Sequence, residues 1–478
     1  MAIKRIWLPV FLAVIIMASS MAPVFAEDDE PDQTQQLAQK AAELLQAKKY
    51  DEAIAVYLQL LKIKPDDELS LYNLACAYAL AKKPEDAAAC LLKSVEAGLA
   101  DFELIQSDPD LQSIRTHDTY KKIISAKETY QKKGAERKIA ELKKQYGPGY
   151  SYEVDDKRKL IWASDASEGL MNKIQDFINK FADAERHYLF CNKPSYYITI
   201  LVPNLKDFQK LVPDPRIGGY YAHHLKTLIC RDTSYTLRHE FTHALHFADI
   251  SARKQVHPIW ITEGLSTCFE ESELGYAKIV PKYNARIDQM KEFIKNGKAI
   301  PWDVLSKMNQ KTFMEHAVEC YAEARAIFYW LDKTDGLRNF YYMYLSDLYA
   351  NKDNFSGIYT LEKIYGKKIE RIEDDWKRWI EKTPATEILE DKNGTYLGVN
   401  IEPSVAGMII TVVGAGSPAE KAGLKAKDVI LKIGPEKIDG VEDYVNAIRK
   451  RNPGDTVTFY IFRDNAEKQI KVKLGKRK

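Results

Sequence analysis

The sequence predicts a multidomain protein in which an all-α solenoid precedes an α+β domain and a β-rich domain. Three observations support this prediction. Residues 33–97 repeat with a period of 34 residues, a His-Glu-x-x-His motif stands in a helical apolar pattern, and residues 385–478 combine short predicted strands with an amphipathic helix. A chain of 478 residues has room for about three domains.

The amino terminus has the pattern of a secretory signal peptide. Lys4 and Arg5 precede an apolar run over residues 6–18, and small residues follow up to Ala26. This pattern predicts a signal peptide over residues 1–26 that is cleaved after Ala26. The apolar run is too short to cross a membrane, so we expect a periplasmic or secreted bacterial protein without a membrane span after cleavage. An uncleaved membrane anchor is the alternative.

Charge and cysteine content narrow the classes of partner. Without the predicted signal peptide, which holds Lys4 and Arg5, positive and negative side chains are equal in number. A nucleic-acid-binding protein needs a basic surface, so we expect no nucleic-acid partner. The 6 cysteines include no Cys-x-x-Cys pair, which argues against a cysteine-based zinc site. An exported protein can form disulfides, and the choice between disulfides and buried thiols stays open.

Residues 27–145 are predicted to be helical. Two units of the repeat are clear, with Leu37, Ala41, Ala53 and Leu58 recurring as Leu71, Ala75, Ala87 and Leu92. The period and the pattern resemble tetratricopeptide (TPR) repeats, which are helical hairpins that stack into a solenoid. Two units are few for such an array, so the helices up to residue 145 are expected to close it. The resemblance implies a possible protein partner, and a spacer or docking platform is the alternative.

Residues 146–383 are predicted to form the α+β domain. Alternating apolar residues predict short strands, and helical periodicity predicts a long amphipathic helix before the motif. The chain after Glu263 is predicted to be helical. The predicted strands cover residues 150–154, 160–164, 196–202 and 220–230, and the long helix covers residues 168–188.

The His-Glu-x-x-His motif and a downstream glutamate have the chemistry of a metal site. His239 and His243 are four residues apart, so on a helix both imidazoles face the same side. Glu263 opens a second helix-like segment, and its carboxylate can complete a His2Glu ligand set. That set is typical of catalytic zinc, and Glu240 lies where a general base would activate water. A chance motif and a metal site without catalysis are the alternatives.

The segment around the motif resembles the gluzincin zinc peptidases, and more closely the bacterial peptidase MA-like domains. The resemblance rests on RHEFTHALHF and PIWITEGLSTCFE, and it covers residues 150–383. It implies that His239, His243 and Glu263 bind Zn²⁺ and that Glu240 activates the water. It also implies a gluzincin-like catalytic fold for this domain.

The same resemblance suggests further groups around the metal. In such enzymes an edge strand before the motif pairs with the substrate backbone, and residues 218–232 occupy that place. A tyrosine-bearing helix supplies a donor to the oxyanion, which points to Tyr321, with His316 as the alternative. Carboxylates usually orient histidine ligands, and Glu270 and Asp249 are the candidates.

Three further histidines near the motif are not predicted to bind metal. His246 follows His243 by three residues and lies off the geometry of the ligand pair, so we expect it beside the ligands or on the surface. His223 and His224 are expected on the strand before the motif helix.

Residues 385–478 resemble the PDZ domains of bacterial proteases. The resemblance rests on Tyr396-Leu397-Gly398-Val399, on GSPAEKAGLKAKDVILKIG, and on the helix and strands that follow. In that family the first loop offers backbone N–H groups to the C-terminal carboxylate of a peptide, which adds as a strand. Leu397, Gly398 and Val399 are the expected peptide-binding residues, with Val445 lining the pocket. A folded appendage without a ligand is the alternative.

Together these features predict an exported zinc-dependent endopeptidase that hydrolyses protein substrates with a metal-activated water and uses Zn²⁺ as its cofactor. The TPR-like and PDZ modules would recruit the substrate or a partner. The alternative from another class is an inactive envelope adaptor that binds proteins through both modules. An aminopeptidase is disfavoured because no Gly-x-Met-Glu-Asn segment precedes the motif.

Overall fold

The computed structural model describes residues 33–214, 217–275, 278–384, 394–404 and 406–476. The predicted signal peptide lies outside these residues. Within them, no helix combines the length and the apolar character that a membrane crossing requires.

The first part of the chain is helical. Its elements are α1 (Gln33–Gln46), α2 (Tyr50–Ile63), α3 (Glu68–Leu80), α4 (Pro84–Ala97), α5 (Phe102–Ser107), a 3₁₀ turn (Pro109–Ile114), α6 (Asp118–Ser125) and α7 (Lys127–Tyr146). Helices α1 to α4 pack in consecutive pairs. The small residues of the repeat lie where these helices meet, and Ala41, Ala53, Ala75 and Ala87 are fully buried.

A five-stranded sheet begins the central part of the chain. Its elements are β1 (Ser151–Asp155), β2 (Leu160–Ser164), α8 (Glu168–Tyr188), β3 (Ile198–Val202), α9 (Leu205–Leu211), β4 (Gly219–Ala222) and β5 (Thr227–Cys230). The strand order is β1-β2-β3-β5-β4, so β4 is an edge strand. β2, β3 and β5 run parallel, whereas β1 and β4 run antiparallel to their neighbours.

The prediction of one strand over residues 220–230 is wrong, because the chain reverses in the middle of that segment. β4 ends at Ala222, residues His223–Leu225 form a 3₁₀ turn, and β5 returns beside β4. Lys226 closes the turn in the left-handed conformation, with a φ of 49°. Two short strands with an apolar pattern and an uninterrupted strand look alike in sequence, since no glycine, proline or asparagine marks this turn.

The rest of the central part is mainly helical and contains the motif. Its elements are α10 (Tyr235–Ala252), α11 (Ile259–Glu270), β6 (Ser272–Leu274), β7 (Ile279–Pro281), α12 (Ala285–Lys295), α13 (Trp302–Leu305), α14 (Gln310–Glu315), α15 (Ala317–Lys333), α16 (Leu337–Ala350), α17 (Ile358–Tyr365) and α18 (Ile369–Lys382). The prediction of helices alone after Glu263 is wrong for β6 and β7, which form a hairpin. α10, α11 and α15 pack together in one apolar core that includes Trp260, Trp302 and Trp376.

The last part of the chain is a six-stranded sheet with two helices and a small two-stranded pair. Its elements are β8 (Thr395–Tyr396), β9 (Val399–Ser404), β10 (Gly407–Val413), α19 (Pro418–Ala422), β11 (Val429–Ile433), β12 (Glu436–Lys437), α20 (Val441–Arg449), β13 (Thr456–Arg463), β14 (Ala466–Lys473) and β15 (Gly475–Lys476). The order β14-β13-β11-β10-β9 leaves β9 at the edge of the sheet, and β8 pairs with β15.

Contacts join the helical part to the central part. The ammonium of Lys226 lies over the rings of Tyr196 and Phe247 at 4.4 and 4.9 Å, and Asp101 lies 3.2 Å from it. Gln131 on α7 donates a hydrogen bond of 2.5 Å to a main-chain carbonyl of the central part. The turn after β4 is therefore held from the helical side.

The last part of the chain also contacts the central part. The Gly169 N–H at the start of α8 donates to Asn465 Oδ1 at 2.9 Å. Lys173, one turn further along α8, lies 3.2 Å from Glu467. The turn between β13 and β14 therefore sits on the first turns of α8.

Candidate metal centre

Helix α10 presents the two motif histidines on one face. Its start is fixed by Asp232, whose carboxylate accepts hydrogen bonds from the Ser234 N–H at 2.9 Å and from Thr236 Oγ1 at 2.7 Å. His239 and His243 lie one turn apart with ring centroids 4.8 Å from each other, because positions i and i+4 share a face. Another face is buried in the core through Leu237, Phe241, Ala244, Leu245 and Ala248.

Helix α11 brings Glu263 to these histidines. Pro258 stands at its N-cap, and the helix runs directly from there. Gly264 allows a close approach to α15, because a Cβ at this position would lie 2.3 Å from Cδ2 of Phe328. Because glycine has no Cβ, α11 can pack closely on α15, and this packing positions Glu263 beside the two histidines.

The three predicted ligands converge on one point. The Nε2 atoms of His239 and His243 are 3.1 Å apart, and each lies 3.3 Å from Glu263 Oε2. A tetrahedral zinc ion with bonds of about 2.0–2.1 Å keeps its ligand atoms about 3.3–3.4 Å apart. Glu263 Oε2 is buried, and no donor in the described part of the chain meets it with hydrogen-bond geometry. The donor set and its spacing fit a zinc ion.

Glu270 orients His239 from the side away from this point. Its Oε2 lies 3.0 Å from Nδ1 of His239, and its Oε1 accepts from Arg286 Nε at 3.0 Å. Burial opposes the charge on Glu270, but His239 and Arg286 outweigh burial and lower the pKa of this carboxyl to about 2. An Nδ1 proton held by Glu270 leaves Nε2 of His239 free to act as a ligand.

The carboxylates around His239 favour a proton on its imidazole. Burial opposes a charge on His239, yet the adjacent carboxylates of Glu263 and Glu270 raise its pKa to about 10. The same environment holds the pKa of Glu263 well below its usual range despite burial, because the two imidazoles are close. A metal ion that binds here must displace a proton from the ligand set.

Glu240 is buried beside the ligands and next to the edge strand. Burial raises the pKa of its carboxyl, and the positive charges of His239 and His243 partly offset that rise. The backbone N–H of Tyr221 on β4 donates a hydrogen bond to the same carboxylate. The predicted general base and the edge strand are therefore in contact, and the region where they meet the ligands is here called the cleft.

Tyr321 on α15 lies on the other side of the ligands. Its ring centroid is 6.3 Å from that of His239, and the Arg286 guanidinium stands 5.2 Å from the Tyr321 ring. Burial, Glu263 and Glu240 raise the pKa of the phenol far above its ordinary value. Its hydroxyl therefore keeps its proton, and in this structure it donates to Met314 Sδ at 3.8 Å, a weak acceptor that a stronger one can replace.

The other sequence candidates have different surroundings. His316 is exposed at the N-cap of α15. Asp249 accepts a hydrogen bond from Tyr341 at 2.8 Å, so its carboxylate anchors that ring rather than serving the site. His246 is buried, not on the surface, and its Nε2 lies 2.9 Å from His257 Nδ1.

Two residues near the ligands were missed by sequence reasoning. Arg286 comes from α12, and nothing in its local sequence indicates that it reaches Glu270. His223 lies in the 3₁₀ turn after β4 rather than on a strand, and the charges of His243 and Glu263 act on its imidazole. The 6 cysteines are free thiols.

The predicted peptide-binding loop lies between β8 and β9. Leu397 is buried, and its carbonyl accepts a hydrogen bond from the Ala419 N–H at 3.0 Å. Gly398 has a φ of 86°, and a Cβ there would lie 2.3 Å from Cβ of Ser417, so the loop requires glycine. Val399 begins the edge strand β9.

Three segments of the chain match known families. Residues 42–81 match the TPR repeat, residues 233–347 match a protein of unknown function (DUF1570), and residues 395–474 match the PDZ domain. These matches confirm the predicted TPR and PDZ modules. The DUF1570 match covers the candidate metal centre from His239 to Tyr321, and its description assigns no activity.

Curated relatives share parts of this chain. The probable periplasmic serine endoprotease DegP-like of Bartonella henselae is 40% identical over 91 residues, which is 16% of this chain and 18% of that protein. The probable CtpA-like serine protease of Staphylococcus haemolyticus is 30% identical over 151 residues, which is 30% of either chain. The chain thus spans less than a third of the length of these relatives. Their names describe serine proteases and lend no support to zinc chemistry.

Solved structures give only distant likenesses. An HtrA-type protease, AlgW with decapeptide, has 18% identity over 23% of this chain and 35% of that chain, with a TM-score of 0.18. An aminopeptidase N family protein from Idiomarina loihiensis has 14% identity over 69% of this chain and 67% of that chain, with a TM-score of 0.27. Neither score is high enough to support an argument about the fold or the reaction.

Proposed function

We propose that this protein is an exported zinc-dependent endopeptidase. The observation that carries the proposal is the triangle of His239 Nε2, His243 Nε2 and Glu263 Oε2, whose sides of 3.1–3.3 Å match tetrahedral coordination. Glu240 stands beside this triangle, which is the position that a general base for hydrolysis needs. An inactive scaffold has no need for all of these groups in one cleft.

The residues divide the reaction between them. Zinc, when bound, supplies a Lewis acid that polarises a carbonyl and acidifies water. Glu240 accepts a proton from the attacking water and returns it to the leaving amine. Burial raises the pKa of this carboxyl, which makes Glu240 a stronger base for the first of these two steps. Tyr321, which keeps its phenolic proton, donates a hydrogen bond to the developing oxyanion.

The flanking modules are proposed to bring a protein substrate to this cleft. The PDZ module would bind a peptide C-terminus through the N–H groups of Leu397, Gly398 and Val399, with the peptide added beside the edge strand β9. The TPR module would bind a protein partner or act as a spacer. The Bartonella relative is named as periplasmic, which agrees with the predicted signal peptide and supports a location in the cell envelope.

The first experiment is elemental analysis of purified residues 27–478. We expect about one zinc per chain in the wild type, none in His243→Ala, and an unchanged content in the control His224→Ala, because a His2Glu site needs all three ligands. A wild-type chain that stays free of zinc after metal is supplied would rule out the peptidase and leave the adaptor.

The second experiment is a peptidase assay of Glu240→Gln on quenched fluorescent casein. This variant should keep its zinc and lose activity by about 10²–10⁴-fold, since the general base is gone while the ligands remain. Full activity in Glu240→Gln would show that another group activates the water.

Peptide capture by the PDZ module has its own test. Two fluorescent peptides with an apolar last residue, one ending in a free carboxylate and one in an amide, are titrated into the full chain. Binding of the carboxylate form alone is expected, because the loop N–H groups recognise a charged terminus. Equal affinity for both peptides would contradict this mode of recruitment.

A further inference from the structure

His223 lies at the point where the edge strand stops. β4 ends at Ala222, and His223 begins the 3₁₀ turn. Its imidazole stacks on Phe247 with centroids 4.3 Å apart and planes 28° apart, and Tyr221 meets it edge-on at 4.9 Å. His223 is an exposed residue, but the packing of its imidazole against these two rings partly desolvates the imidazole.

These contacts place His223 beside the candidate metal centre. Phe247 follows His243 by four residues on α10, so the ring beneath His223 continues the face that carries the ligands. The N–H of Tyr221, two residues before His223, reaches the carboxylate of Glu240. The edge strand therefore passes the general base and brings His223 close enough to His243 and Glu263 for their charges to act on its imidazole.

The chemistry of His223 fits a donor rather than a ligand. The converging ligand group consists of His239, His243 and Glu263 and does not include it. Desolvation, together with the positive charges of His243 and Lys226, lowers the pKa of His223 to about 3. A neutral imidazole carries one N–H donor and brings no charge into the cleft.

The end of β4 explains why a side chain is needed at this position. Among the residues that the structure describes, β5 is the one strand beside β4, so the other side of β4 can add an extended peptide by main-chain hydrogen bonds. The 3₁₀ turn that starts at His223 breaks this ladder, because turn N–H groups no longer point along the sheet edge. A substrate that continues past Ala222 loses its main-chain partner there.

We propose that His223 contacts the peptide substrate and donates an imidazole hydrogen bond to a substrate main-chain carbonyl where the β4 ladder ends. This inference rests on the proposed peptidase function and adds a substrate-binding residue to it. Stacking on Phe247 fixes the plane of the His223 ring, and the edge-on contact with Tyr221 limits its rotation. The N–H donor of His223 is therefore oriented before substrate binds.

The test separates hydrogen bonding from packing. His223→Phe keeps an aromatic ring on Phe247 but removes the N–H, whereas His223→Gln keeps an N–H donor without the ring. His224→Gln is the matched control, because this adjacent histidine is exposed and lies in the same turn. Each zinc-loaded variant is measured for kcat/KM on quenched casein and for the Kd of a blocked dipeptidyl phosphinate by calorimetry.

We expect His223→Phe to lose about tenfold in both kcat/KM and phosphinate affinity, as for one lost hydrogen bond. His223→Gln should recover part of both, with zinc content and Tm unchanged in all variants. Wild-type values in His223→Phe would show that the ring only packs and would overturn this inference alone. Loss of zinc in His223→Phe would also overturn it. A zinc-loaded wild type that neither cleaves nor binds the probe would overturn the proposed function as well.

Discussion

Glu270 joins the candidate ligands to the helices behind them. It contacts Nδ1 of His239 through one oxygen and Arg286 through the other, each at 3.0 Å. This arrangement fixes the ring of His239 and makes it a stronger ligand. Arg286 continues the network to the Tyr321 ring, so three elements hold one side of the site.

Glu270→Gln should weaken zinc binding by about 10- to 100-fold, because the amide no longer carries the charge that orients His239. Competition with a fluorescent zinc chelator measures the change. Glu273→Gln is the control, since Glu273 is exposed on the nearby β6 and pairs with Lys282 instead of the ligands. Equal zinc affinity in both variants would mean that Glu270 has no part in orienting the ligand.

Glu323 is a buried carboxyl that links stability to pH. Its Oε2 accepts from the Ile300 N–H at 3.0 Å, and burial followed by the charge of Glu373 raises its pKa from 4.5 to about 8. The folded state therefore holds a proton that the unfolded state releases. Its contribution to stability is complete below pH 4.5 and is lost as the pH rises towards 8.

Glu323→Gln should flatten the pH dependence between these two values, because a neutral amide has no proton to lose. In the wild type the slope reaches up to about 1.4 kcal/mol per pH unit. Tryptophan fluorescence during urea unfolding is a suitable measure, since every tryptophan after Trp7 lies between residues 162 and 379. Glu319→Gln on the same helix is the control, and parallel curves for wild type and Glu323→Gln would contradict the assignment.

At the scale of elements, the contact between α11 and α15 positions Glu263. Gly264 meets Phe328 so closely that an added Cβ would lie 2.3 and 2.4 Å from two ring carbons. A buried aromatic ring cannot move aside as an exposed side chain can. The two helices would have to separate, and Glu263 would move with α11.

Gly264→Ala should therefore cost about 1–3 kcal/mol of stability and also weaken zinc binding. Urea unfolding followed by tryptophan fluorescence and chelator competition measure the two effects. Gly149→Ala is the control, because a Cβ at that glycine meets no atom within 4 Å. A loss of stability with unchanged zinc affinity would show that other residues move to make room for the new Cβ and that Glu263 keeps its position.

Strong local patterns made some elements predictable. The bounds predicted for β2 and α8, namely residues 160–164 and 168–188, are confirmed, because the apolar pattern of each is uninterrupted. The turn between β4 and β5 has no such signal, since it is closed by Lys226, and lysine is uncommon in the left-handed region. β6 and β7 have only three residues each, too few to show a period.

The same distinction applies to the site. His239 and His243 are neighbours on one helix, so their spacing in sequence is enough to pair them. His223 and Arg286 reach the site only through the packing of other elements, which no local pattern records. Glu263 was proposed because a carboxylate on the next helix-like segment completes a His2Glu set, and the family resemblance gave it the same role.

At the scale of the whole molecule, Asp101 connects the helical part to the turn after β4. Its Oδ1 caps α5 by accepting from the Leu104 N–H at 3.0 Å, and its Oδ2 lies 3.2 Å from the Lys226 ammonium. Asp101→Asn keeps the cap, since asparagine caps helices equally well, and removes the charge. Both partners are partly buried, so the pair contributes more than an exposed one.

A double-mutant cycle of Asp101→Asn with Lys226→Met should give a coupling of about 1 kcal/mol. The measured quantity is the urea unfolding of the central part, followed by tryptophan fluorescence. The exposed pair of Asp176 and Lys180 on α8, which lies in the same tryptophan-bearing part, serves as the control and should couple weakly. Coupling energies that are the same in both cycles would mean that the helical part does not brace the turn.

Lys226 also bears on how shortened forms of this protein should be compared. Its ammonium contacts both the Asp101 carboxylate and the ring of Phe247. The same Phe247 ring also stacks on the imidazole of His223. Deleting the whole helical part, residues 33–146, would remove Asp101 and leave the Lys226 ammonium without its counter-charge three residues from His223. A drop in proteolysis after such a deletion would therefore be no proof of a lost recruitment partner, and Asp101→Asn in the intact chain is the fair reference.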